Sequence, residues 1–101
     1  MPRHSWSVED DLIAYHVFRF GPRDIDGDLK EIGTILGMGF NSFNLKIANF
    51  KAIAGRGGLE NYTRQSAQVH EKYSKLSDSE ARLAGVEAIG RAFEAYTNRK
   101  D

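Results

Sequence analysis

Asp28 to Ile53, DLKEIGTILGMGFNSFNLKIANFKAI, reads as helix, glycine corner, helix, and the rest of the chain arranges itself around that unit. Asp28 supplies a side chain that accepts from free amides at a helix start, and Glu31 three residues on completes a capping box. Leu29, Ile32, Ile35 and Leu36 then share one face. Gly37 falls where the helix must stop and takes the positive φ of a turn, with Met38, Gly39 and Phe40 completing the corner. A second helix is predicted from Asn41 or Ser42. Its Phe43, Ile47, Phe50 and Ile53 recur at steps of four, three and three and form the inward face; Ser42, Asn44, Lys46, Asn49 and Lys51 are left nearer solvent. Those outward residues are hydrogen-bonding or positive, with no acid among them, which suits a duplex groove.

Outward from this unit, Ser7 N-caps a first helix that runs to about Phe20, with Glu9, Asp10 and Asp11 in its first turn against the positive end of the helix dipole. Gly21-Pro22 ends it, and Arg23 to Gly27 is a polar loop. After the central unit, Gly55-Arg56-Gly57-Gly58 is a connection and not a phosphate loop, since it lacks GxxxxGK[ST] and follows no strand pattern. A fourth helix is predicted from about Asn61 to Lys75, with Tyr62, Val69 and Tyr73 inward. Ser77 and Glu80 form a second capping box that opens a last helix, whose apolar stripe is Leu83, Val86, Gly90, Phe93 and Tyr96, with Ile89 beside it, and whose tail frays from Thr97. No segment alternates as a half-buried strand does. The fold class is all-α, about five helices in a single domain: a helix-turn-helix core over residues 5–54 and a C-terminal helical extension over 61–97.

The 101 residues carry 14 Lys/Arg and 14 Asp/Glu, a neutral balance that argues against indiscriminate coating of nucleic acid. The charges are unevenly placed. Residues 1–40 hold four basic against seven acidic (−3), residues 41–76 six against two (+4), and residues 77–101 four against five (−1). The positive block begins with the second helix of the unit, as a local phosphate-contacting surface requires. With no cysteine there is no disulfide or thiolate metal site, and a cytosolic setting is the default. No apolar run approaches a membrane span. His4, His16 and His70 are scattered, and no nucleophile elbow, zincin motif, dinucleotide fingerprint or acid/base pair is present, so neither enzyme activity, cofactor, metal nor small-molecule substrate is expected.

Trp6-Ser7-Val8-Glu9-Asp10-Asp11, then Leu29 to Gly33, then Ser42-Phe43 to Asn49-Phe50, resembles a Myb/SANT-type helix-turn-helix, with Trp6, Leu29 and Phe50 where that family spaces its tryptophans. Leu36-Gly37, Ser42-Phe43, Lys46-Ile47, Asn49-Phe50-Lys51 and Gly58-Leu59 also resemble a helical module that precedes HNH nuclease domains in some bacterial and phage proteins. The resemblance implies a regulatory or targeting role on double-stranded DNA, with Ser42, Asn44, Leu45, Lys46 and Asn49 facing the major groove. Lys46, Lys51, Arg56 and Arg64 would contact phosphates. The chain departs from the pattern at two of the three tryptophans and at Met38, where such modules are often basic, and the nuclease half is missing, so binding without cleavage is implied. The alternative is a protein-interaction module on the same framework. Dimerisation through the last helix, or partnership with another domain, would supplement the few contacts of one recognition helix.

Overall fold

The computed structural model describes residues 6–21, 29–55 and 64–100. Within them the chain is all-α, with five helices and no strand: α1 Val8–Phe20, α2 Leu29–Leu36, α3 Phe40–Ile53, α4 Arg64–Ser74 and α5 Asp78–Lys100. Asp28 of the first predicted capping box, the loop to Gly27, Arg56 to Gly58 and the predicted start of the fourth helix at Asn61 lie outside the described residues. So does His4.

Helix ends follow the local chemistry. Ser7 and Asp10 exchange hydrogen bonds, the Asp10 amide donating to Ser7 Oγ at 3.0 Å and the Ser7 amide to Asp10 Oδ2 at 3.1 Å. The Ser77–Glu80 box closes α5 in the same way, with the Glu80 amide on Ser77 Oγ at 3.2 Å and the Ser77 amide on Glu80 Oε1 at 3.3 Å. At the corner between α2 and α3, Gly37 has φ 84°, and its amide donates to Thr34 O while that of Met38 donates to Gly33 O. Those two bonds are the Schellman pattern, which satisfies carbonyls the helix leaves open. The Gly39 amide adds a third bond, also to Gly33 O. The corner folds so closely onto α2 that a Cβ on Gly33 would lie 2.7 Å from the carbonyl carbon of Gly39.

The core sits where α1 crosses the other helices. Ile13, Ile32, Phe43 and Phe50 are fully buried in it, and Tyr15 packs edge-on against Phe50 with ring centroids 5.5 Å apart. α5 lies along α1 and also touches α2; α4 packs on α1 and α3, and α2 on α3. The two C-terminal helices therefore complete the burial of α1.

The stripe predicted on α5 holds at Phe93, which packs against the core, and at the neighbouring Ile89, but its first half faces out. Leu83 is 60 % exposed and Val86 41 %, and Gly90 faces open space, while Ala81, Gly85, Ala88 and Ile89 are buried against α1. The physical reason is room: the imidazole of His16 occupies the space that a larger side chain at Gly85 would need. The helix also continues through the tail expected to fray, with Thr97 Oγ1 donating to Phe93 O at 3.0 Å. α3 begins at Phe40, one residue before the predicted start.

One guanidinium joins three helix ends. Arg19 Nη1 donates to Tyr73 O at 2.8 Å; Nη2 donates to Leu76 O at 3.0 Å and to Asp78 Oδ1 at 2.8 Å. It thereby ties the carbonyls of Tyr73 and Leu76, at and just past the end of α4, to the first turn of α5. Partial burial acts to lower the pKa of Arg19, but the hydrogen bonds and charges of Asp78 and Tyr15 outweigh it and hold the group above its ordinary value. Arg19→Ala is expected to lower stability by about 1–2 kcal/mol in urea unfolding, and Arg19→Lys to recover less than half, because an ammonium cannot reach two carbonyls and a carboxylate as a planar fork does.

Candidate nucleic-acid interface

α3 is held by its inward aromatics, Phe43 and Phe50, the latter stacked on Phe18 at 6.1 Å and met edge-on by Tyr15. That anchoring fixes which side faces out. Phe40, Asn41, Ser42, Asn44, Leu45 and Lys51 are exposed, and Ala48, Asn49 and Ala52 are half-buried. Asn41, Leu45 and Asn49 fall four residues apart and form one slanting row along the outward face, exposed at Asn41 and Leu45 and running into the half-buried flank at Asn49. Leu45, at 58 % exposure, stands at its centre. The helix contains no acidic residue. Its first turn also lacks a side-chain cap, since Gly39 holds the N-cap position, whereas α1 and α5 both begin with capping boxes.

Lys46, expected on this face, is not there. It is only 5 % exposed, and its ammonium lies 3.2 Å from Asp11 Oδ1, 3.0 Å from Ser66 Oγ and 4.6 Å from the centre of the Trp6 ring. It points from the flank of α3 into the junction with α1 and α4. Asp11 is fully buried, and it also accepts from Ser66 Oγ at 3.2 Å and from Gln65 Nε2 at 2.6 Å. Gln65 Nε2 further donates to the backbone carbonyl of Trp6. The carboxylate and the ammonium are thus saturated by each other and by neutral donors and acceptors, as burial of two charges demands. Held there, the Lys46 ammonium does not reach the outward face of α3, contrary to the phosphate contact expected of it.

Asp11, Ser66, Gln65 and Trp6 were not legible as a unit, yet the sequence held one sign of it. Asp11, Tyr15 and Phe18 share a helical face, so a carboxylate on an aromatic inward stripe had to find a cation. The other two acids of the same turn are also engaged: Asp10 caps Ser7, and Glu9 pairs with Arg91 of α5. Of the predicted phosphate contacts, Lys51 and Arg64 are exposed, and Arg56 lies outside the described residues. α4 flanks α3 on the side from which Lys46 projects, and Lys51 projects from the other side, so the row lies between Arg64's helix and Lys51.

Other concavities offer less. A groove of about 310 Å³ between α1, α2 and α5 has apolar walls at Ile13, Ile35 and Ala92, and its charged rim is already engaged in the Glu9–Arg91 pair and the Asp10 cap. Among the described residues no three His, Asp or Glu side chains come together as metal ligands, and no helix is long and apolar enough to cross a membrane. No protein family, curated protein or solved structure matches this chain.

Proposed function

We propose that this chain is a non-enzymatic DNA-binding module that lays the outward row of α3 into the major groove of duplex DNA. The observation that carries this is the outward face of α3: the carboxamides of Asn41, Asn44 and Asn49, the Ser42 hydroxyl and the Leu45 side chain, with no acid among them, held from behind by Phe43 and Phe50. Side chains of this type meet base edges without the repulsion an acid would bring. Lys51 and Arg64 on the two flanks would meet the phosphate backbones that border the groove. The resemblance to a Myb/SANT-type helix-turn-helix supports the same assignment of α3 as recognition helix, in a regulatory or targeting role. A second reading, a protein-docking face, is favoured by the exposure of Leu45 and by the withdrawal of Lys46, which leaves Lys51 as the outward cation of α3.

Fluorescence anisotropy with random-sequence duplex DNA at several salt concentrations tests the proposal. Binding with a dissociation constant of about 10⁻⁴ to 10⁻⁶ M is expected, with a log–log salt slope that falls by about one for Lys51→Ala and again for Arg64→Ala. A folded protein that fails to bind at low salt, or a slope indifferent to both substitutions, overturns docking through this face.

A further inference from the structure

Resting on the DNA-binding reading, we infer that the face of α3 selects A·T base pairs in the major groove, over a core of three to four base pairs. The row from Asn41 to Asn49 spans eight helical steps, about 12 Å, which matches three to four base pairs at about 3.4 Å each. What that row can read follows from its chemistry. A carboxamide donates and accepts at once, which is the complement of adenine's N7 acceptor and N6 amino donor; Asn41 and Asn49 occupy the two ends, and Asn44 adds a third carboxamide on the flank.

Guanine, with two acceptors on its major-groove edge, asks for two donors from Arg or Lys. α3 contains no arginine, Lys46 is committed to Asp11, and Lys51 projects from the flank away from the row. At the centre, Leu45 is bordered by Ala48 and Ala52, an apolar strip that suits the thymine methyl group. Both kinds of pair turn polar groups toward such a strip, but only A·T adds a methyl group for Leu45 to cover. The strip therefore favours A·T.

The test is selection from a randomised duplex library, followed by titration of the selected duplex and two chemically altered versions. Replacing thymine by deoxyuracil removes the C5 methyl, and replacing adenine by 7-deazaadenine removes the N7 acceptor; both changes lie in the major groove and leave Watson–Crick pairing intact. Selected sites are expected to share an A·T core. Deoxyuracil should weaken wild-type binding about three- to five-fold and leave Leu45→Ala unaffected. 7-Deazaadenine should weaken the wild type by a factor on the order of ten, and Asn49→Ala or Asn41→Ala should abolish that sensitivity at one position each.

A G·C-rich consensus, no consensus with binding intact, or binding indifferent to both altered bases overturns the inference and leaves general DNA binding standing. Failure of the folded protein to bind any duplex removes both.

Discussion

Lys46→Ala is expected to destabilise the fold by about 3–5 kcal/mol, the range for deleting one member of a buried ion pair. The loss exceeds any attraction the pair contributes, because Asp11 is left fully buried with its charge opposed only by Ser66 and Gln65. Trp6 also loses the ammonium over its ring. Urea unfolding followed by circular dichroism would show the midpoint fall. The double replacement Asp11→Leu with Lys46→Met removes both charges and restores apolar volume, so it should recover most of the lost stability; the coupling is then read from the cycle. A Lys46→Ala loss below about 1 kcal/mol would mean that water reaches the junction. The double variant separates structure from function, too. Folded and lacking Lys46, it should retain the wild-type salt slope on DNA, whereas Lys51→Ala should not.

That contrast shows which part of the site could be read from the chain and which could not. Periodicity placed Phe43, Ile47 and Phe50 inward, and the acid-free outward residues of α3 followed by subtraction. Gly37, Ser7 and Ser77 marked helix ends because each end has its own backbone chemistry, legible within four or five residues. Lys46 failed for the opposite reason. Its partners lie 35 positions upstream at Asp11 and 20 downstream at Ser66, and a side chain on the margin of a helical face is solvent-facing or buried according to whether another helix covers it. α4 covers this one.

The buried pair also revises the electrostatic argument. Residues 41–76 carry a formal +4, but Lys46 is cancelled within the core by Asp11, so the segment presents at most +3 to a partner. If the proposed DNA-binding role holds, a weaker general attraction to phosphates would shift the burden onto base-edge contacts and the thymine methyl. The proposal then predicts modest affinity on random DNA together with marked preference among sequences.

Gly85→Ala and Gly90→Ala, five residues apart on α5, are expected to change stability in opposite directions. In an exposed helix, replacing glycine by alanine gains about 0.5–1 kcal/mol, since the chain loses less freedom on folding. Gly90 meets that condition: a Cβ there has no heavy atom within 4 Å, so Gly90→Ala should stabilise by roughly that amount. At Gly85 a Cβ would stand 2.2 Å from Nδ1, 2.6 Å from Cγ and 2.8 Å from Cβ of His16. These distances are far inside contact range, and the imidazole is itself buried and packed on Phe20, with ring centroids 5.1 Å apart. Overpacking of this kind outweighs the helix gain, for a net loss of at least about 2 kcal/mol. Removing the imidazole should relieve most of this clash: in a His16→Ala background, where only the 2.8 Å contact to the residue 16 Cβ remains, the same Gly85→Ala change should cost clearly less than in the wild type. Thermal and urea unfolding of the four combinations decides it. Equal effects of Gly85→Ala with and without His16 would mean that α1 and α5 do not meet through these two residues, and the small-residue face of α5 would then need another explanation.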